Sequence, residues 1–315
     1  KNKNQISYSS AFGKTVLDAA KNNKDFVCIT AAMEIGTGLK DFSDKYPNRV
    51  VDVGIAENHA VTYGSGYASS GLIPVIAIYS TFIQRAYDNI LHDFLLQDLP
   101  FILCLDRSGI VGADGPTHHG LFDINMFISM PNIIISAPKD GDELRALFLL
   151  ALELKKPFVI RYPKGDSVNF ESNILDTQKL ELGSWEVLKK GANCAILAVG
   201  SMVELVLEDY ELISNELGYQ PTLVNARFVK PIDTSMMNSI SNEYDTILTI
   251  EEGMKVGGFG SVILNYLNNA SYSGKVKILG IGDQFVDQGS RSELLKDCGL
   301  TSSKIIDAIK DEERK

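Results

Sequence analysis

The stretch DVGIAENHAVTY (52–63) puts an acidic side chain, Glu57, where an apolar strand-like run (50–53) gives way to a helix-like one. A carboxylate between two apolar elements is costly to bury unless it holds something. Alone it would be a helix N-terminal carboxylate, worth a few tenths of a kcal/mol through the helix dipole. Two further stretches change that reading. IYSTFIQRAYD (78–88) follows an apolar strand and opens a helix, which brings Tyr79, Phe82 and Arg85 near the C-terminal end of a parallel strand, where open α/β sheets bind ligands. CLDRSGIVGADGPTHHG (104–120) leaves a strand at Asp106 and runs through Gly109, Gly112, Gly115 and Gly120, with Pro116 among them. It reads as a shaped loop carrying Arg107, Asp114, His118 and His119, and loops rich in charge and imidazole on a rigid scaffold are where function concentrates. His92, inside LHDFLLQ, reads as structural. His118 and His119 lack a third ligand at a recognised spacing, so no metal site is assigned.

The elements that must position these residues alternate. A helix is predicted over 6–20, then strands at 26–30, 50–55, 74–79, 101–106, 132–136 and 158–162, with helices over 56–69, 82–96 and 140–154. Short continuous apolar strands separated by helices predict a parallel sheet covered on both faces. The polar, glycine-containing stretch 166–192 reads as a linker with a short β excursion. Beyond it, strands at 194–199, 221–225, 246–250 and 276–279 and helices near 202–217, 233–241, 258–269 and 301–311 predict a second unit of the same kind. The fold class is thus α/β, two mostly parallel sheets flanked by helices, with domains at 1–165 and 193–315.

The chain has 315 residues, 45% of them hydrophobic, and a formal charge of −10. That length suits two domains, and the acidic balance argues against nucleic acid or an anionic membrane as the main partner. No apolar run approaches the ~18 residues that spanning needs. Cys28, Cys104 and Cys194 lie in apolar strand-like runs and Cys298 stands apart, which predicts buried reduced thiols and a cytoplasmic protein.

Taken in order, DVGIAENHAVTY, IPVIAIYSTFIQRAYDNILHD, DRSGIVGADGPTHHGLFDI and RYPKG resemble the pyrimidine-binding domain of the 1-deoxy-D-xylulose 5-phosphate synthases, thiamine diphosphate-dependent relatives of transketolase. RFVKPID (227–233), TIEEGMKVGGFGS (249–261) and DQFVDQGSRSELL (283–295) resemble that family's transketolase-type C-terminal domain. The resemblance covers nearly the whole chain; Asn58 stands where the family usually has Gln. It implies that Glu57 meets N1′ of the cofactor's aminopyrimidine, favouring the imino tautomer that helps deprotonate the thiazolium carbon. Such a carboxyl must be partly desolvated, so that it can stay protonated or share a proton with the ring. Phe82 matches the residue that stacks on the pyrimidine. Ile55 would lie against the cofactor or pack in the core. Arg107 and Arg161 match phosphate-binding arginines, Lys164 is a second candidate for the same phosphate, and Tyr79 and Arg85 would line that pocket. Asp114 and His118 would handle the acceptor's hydroxyl and carbonyl, with His118 as proton donor or acceptor.

The reaction so implied decarboxylates pyruvate and condenses it with D-glyceraldehyde 3-phosphate, giving 1-deoxy-D-xylulose 5-phosphate for isoprenoid, thiamine and pyridoxal synthesis. The diphosphate and Mg²⁺ half of such a site uses a GDG motif followed by an Asn, and the nearest strings, GADGP (112–116) and KDGDE (139–143), do not fit. In this family that half precedes the residue numbered 1 here. The expectation is therefore a fragment or one subunit of a split enzyme, dimeric through these domains with GGFGS (257–261) offering small residues at the interface, and inactive by itself. Two alternatives stand beside it. One is the C-terminal subunit of a split transketolase or the beta subunit of a 2-oxo acid dehydrogenase. The other is a non-catalytic scaffold, which would have no need of Glu57, Arg107, His118 and Arg161 together.

Overall fold

The computed structural model describes residues 6–170 and 179–310. In chain order the strands are β1 Ile6–Ser7, β2 Phe26–Thr30, β3 Val50–Asp52, β4 Ile73–Tyr79, β5 Phe101–Asp106, β6 Ile134–Ser136, β7 Pro157–Arg161, β8 Asp166–Ser167, β9 Glu186–Lys189, β10 Cys194–Ala198, β11 Thr222–Asn225, β12 Phe228–Lys230, β13 Thr246–Met254 and β14 Lys275–Ile281. One sheet has the order β12-β6-β7-β5-β4-β2-β3 and the other β14-β13-β10-β11-β9; β1 and β8 form a separate antiparallel pair. Within each large sheet every pairing is parallel except the edge strands β12 and β9, which run antiparallel to β6 and β11.

The strands form where the apolar runs are uninterrupted: β2, β5, β7 and β10 are buried at every position. Helices cover both faces, so such strands read as continuous rather than alternating hydrophobic segments. The first sheet's core continues into one face of the second sheet. Ala195 and Leu197 of β10 join it, whereas Cys194, Ile196 and Ala198 face a second cluster beneath the C-terminal helices. The period-two alternation of a strand divides the two cores.

Three predicted features differ. The stretch 82–96 is not one α-helix but a 3₁₀ turn (Phe82–Ala86), a short α turn (Tyr87–Asn89) and a π-helical turn (Ile90–Leu95). Glu186–Lys189, inside the stretch read as linker, is an edge strand of the second sheet, while 171–178 lie outside the described residues. Phe228–Lys230 leaves the second unit to pair with β6 of the first.

Charged groups buried at the same junction fix the units together. Arg227 Nε lies 3.1 Å from Glu143 Oε1 and its terminal nitrogen 2.8 Å from Glu186. Asn225 also donates to Glu143 at 2.8 Å. Burial raises the Glu143 carboxyl above its ordinary value, with Lys139 and Arg227 opposing. Cys28, Cys104 and Cys194 are buried free thiols and Cys298 is half-buried. Among the described residues no helix is long and apolar enough to cross a membrane.

Candidate active site

Because β2, β3, β4, β5 and β7 run parallel, the residues that follow them converge on one edge of the sheet. At the end of β3, Asp52 Oδ1 accepts from the backbone of Gly54 at 2.9 Å and of Ala32 at 2.8 Å. Gly54 has φ +70, which a glycine adopts without strain. This turn delivers Glu57 to the first position of the helix Glu57–Ser69, whose N-cap, Ala56, offers no side-chain acceptor. The carboxylate is 2% exposed and accepts from Arg85 Nη1 at 2.6 Å.

The 3₁₀ turn after β4 explains how Arg85 gets there. Three residues per turn eclipse positions i and i+3, so Arg85 stacks back over Phe82, its guanidinium carbon 5.2 Å from the ring centre. Phe82 stacks on Tyr79 at 5.8 Å and meets the His118 ring edge-on at 5.4 Å. Arg107 covers Tyr79, with 3.6 Å from guanidinium carbon to ring centre, and donates to the Gly36 carbonyl at 3.1 Å. A Cβ on Gly36 would fall 1.8 Å from the Tyr79 hydroxyl, so any other residue there would displace the ring. Partial burial raises the Tyr79 phenol, against the opposing charge of Arg107. One connected cluster thus contains Glu57, Arg85, Phe82, Tyr79, Arg107 and His118.

Ile55 is 82% exposed, which removes core packing as its role. Asp114 pairs with Lys164 at 2.6 Å on the rim, and that hydrogen bond holds the Asp114 carboxyl below its ordinary range, with smaller help from His118 and Arg107. Arg161 is buried: its Nε donates to Asp123 Oδ2 at 2.9 Å and a terminal nitrogen to the Glu252 carbonyl at 3.0 Å. It stands at the end of β7 beneath the loop rather than in the aromatic cluster. His119 is buried with both ring nitrogens engaged, Nδ1 accepting from Val111 N–H at 3.1 Å and Nε2 donating to the Asp287 carbonyl at 3.0 Å. His92 is on the surface, 2.9 Å from Asp88, and is no part of the core.

The two halves match two family descriptions: "Transketolase, pyrimidine binding domain" over residues 4–168 and "Transketolase, C-terminal domain" over 183–305. The chain belongs to the transketolase family. This transketolase-family chain is 45% identical over 302 residues to 1-deoxy-D-xylulose-5-phosphate synthase of Clostridium perfringens (strain 13), covering 96% of the chain and 48% of that protein. The synthase of Syntrophus aciditrophicus is 46% identical over 307 residues, covering 96% and 47%. A solved chain described as "Split gene transketolase, inactive beta4 tetramer" superposes with a TM-score of 0.84 at 27% identity, covering 97% of both chains. Transketolase from Campylobacter jejuni shares the fold, with a TM-score of 0.77 at 20% identity over 99% of this chain and 47% of that one. The chain spans about half the length of the curated relatives it matches.

Sequence reasoning assigned no role to Asp123, Ser201, Glu252 or Arg291, all of which bear on the loop at the site. Two adjacent acids closing an apolar strand, Glu251 and Glu252 in TIEEGM, were a visible signal. The GGFGS stretch packs within the chain. Glu251 accepts from the backbone of Phe259 and Gly260 at 2.8 Å each, and a Cβ on Gly258 would lie 2.5 Å from its carboxylate. Burial pushes Glu251 up to about 7, against those two donors.

Proposed function

We propose that this chain is the pyrimidine-gripping half, with the C-terminal domain, of a thiamine diphosphate-dependent synthase that decarboxylates pyruvate and condenses it with D-glyceraldehyde 3-phosphate. One observation carries the reading: the Arg85 guanidinium lies on Phe82 and hydrogen-bonds Glu57. A nitrogen-bearing cation that lies over an aromatic ring and donates to a buried carboxylate makes the same two contacts that an aminopyrimidine requires. The residues present therefore fit the cofactor, and Arg85, whose side chain is 53% exposed, has room to give way. Ile55, exposed beside this site, would meet the cofactor's other face. The diphosphate and its Mg²⁺ fall to a complementary half.

When bound, thiamine diphosphate supplies a nucleophilic carbon and an electron sink for pyruvate's acyl carbon. Glu57 would hold the proton at pyrimidine N1′, and Phe82 would orient the ring and exclude water from one face. Arg107, held over Tyr79, would present its guanidinium N–H groups to the acceptor's phosphate. Arg161 and Lys164, already paired with Asp123 and Asp114, would join it by sharing or exchanging those partners for phosphate oxygens. His118, which meets Phe82 edge-on, would move a proton at the acceptor's carbonyl oxygen, with Asp114 on the same loop orienting a hydroxyl.

A second reading is favoured by the end-to-end match to the split-gene transketolase chain: a subunit that transfers a two-carbon unit from a ketose phosphate. The decisive experiment adds a complementary diphosphate-binding half and Mg²⁺, then offers either pyruvate or a ketose phosphate as donor to glyceraldehyde 3-phosphate. CO₂ release with a five-carbon product is expected from pyruvate; turnover of the ketose phosphate alone would replace the synthase reading with the second. The 315 residues alone should bind the cofactor weakly, and tight binding in a titration would contradict the assignment of the diphosphate to another half.

A further inference from the structure

We propose that Glu252, on the second unit, is a positioning residue that clamps the loop bearing Asp114 and His118 and so sets where the phosphorylated aldehyde acceptor is held; the acceptor part rests on the function proposed above. The loop 109–120 is pinched at its base, where Gly109 and Gly120 exchange backbone hydrogen bonds of 2.7 and 2.8 Å. Directly beneath this closure Glu252 Oε1 accepts from the Ile110 N–H at 2.8 Å. Its other oxygen accepts from Ser201 Oγ and from Arg291, each at 2.6 Å. The side chain is 1% exposed, so both oxygens are committed: one to the first unit's loop, the other to the second unit's own groups.

The fit between loop and carboxylate is close enough to dictate sequence. Gly109 has φ +83, and a Cβ there would lie 2.5 Å from Glu252 Cδ. Any other residue would strain the backbone and force the loop or the carboxylate to shift. Two further contacts from the second unit act on the same loop: the Asp287 carbonyl on His119 Nε2, and Gln288 donating to the Ala113 carbonyl at 2.8 Å. From the first unit, Asp123 accepts from Ser108 at 2.7 Å and from Arg161. The loop's apex, with Asp114 and His118, is thus carried on a base whose only anionic anchor from the other unit, among the described residues, is Glu252. A buried backbone N–H would lose its acceptor, and the part-buried Arg291 its carboxylate partner, if that carboxylate were removed.

Amide hydrogen exchange on the 315-residue chain and kinetics of the reconstituted enzyme test the proposal together. In Glu252→Ala the amides of 109–120 should exchange at least about tenfold faster, while those of β4 and β5 keep the parent rate. Glu252→Gln retains an acceptor for Ile110 N–H and should stay within about threefold of the parent. In the reconstituted enzyme Glu252→Ala should raise the KM for the aldehyde about tenfold with kcat within about twofold. Unchanged exchange over 109–120, or exchange rising equally in β5, overturns the clamp. A fall in kcat with KM unchanged overturns the acceptor assignment. If the reconstituted parent condenses no aldehyde with pyruvate, the proposed function and the acceptor assignment fail together, and the exchange measurement alone still decides whether Glu252 clamps the loop.

Discussion

Glu57 is almost wholly buried, yet its charged partner sits on a half-exposed side chain that has room to leave. That combination suits a carboxylate kept dry for a visiting heterocycle. Replacing it by an amide of the same shape should leave the fold intact and, with the complementary half supplied, lower kcat by about a hundredfold or more, read as CO₂ release from pyruvate. Asp106 makes a separate prediction. Burial pushes its carboxyl from 3.8 up to about 6, against the Ser9 hydroxyl and Arg107. The folded chain therefore holds this proton to higher pH than the unfolded one, and the group's stabilising contribution, complete below about pH 4, is lost as pH rises through about 6. Asp106→Asn should flatten the pH dependence of unfolding free energy between pH 4 and 7 by about 2–3 kcal/mol, measured by denaturant titration at each pH. The residues of the aromatic cluster were legible in the sequence because their type and order are distinctive. The partners that occupy Arg161 and Lys164 were not, since a one-dimensional string does not say which carboxylate an arginine will meet.

At the scale of elements, two departures from regular structure do the positioning. A regular α-helix over 82–96 would place positions i and i+3 about 60° short of eclipsed; the tighter 3₁₀ turn aligns Phe82 with Arg85 and thereby with Glu57. The local pattern of apolar residues does not separate the two, because their periods, 3.0 and 3.6, differ little over one turn. The loop 104–120 was recognisable from its glycines, but not which of them is indispensable or why. Gly109→Ala combines a left-handed backbone with a collision against Glu252, and it should lower the unfolding free energy by about 1–3 kcal/mol, seen as a reduced midpoint with an unchanged denaturant slope.

Across the whole molecule, two α/β units are welded rather than tethered. β12, contributed by the second unit's segment, edges the first unit's sheet, one hydrophobic core runs from the first sheet to a face of the second, and Arg227 is buried against Glu143 between them. Removing Arg227 leaves the buried Glu143 with Lys139 as its remaining cation, so Arg227→Met should cost up to about 3 kcal/mol, while the double variant with Glu143→Gln should recover part of that loss in the same denaturation experiment. Sequence by itself determined the fold class, the succession of the buried parallel strands and the identity of the aromatic and charged residues at their ends. Those features are written in short-range hydrophobic periodicity and in runs of side chains of specific chemistry. Only the tertiary structure decided that Ile55 faces outward, that GGFGS packs against Glu251 within the chain, and that Glu252 anchors a loop 142 residues away. Those outcomes depend on which surfaces meet when the two sheets pack, a many-body matter of shape and desolvation that no local stretch encodes.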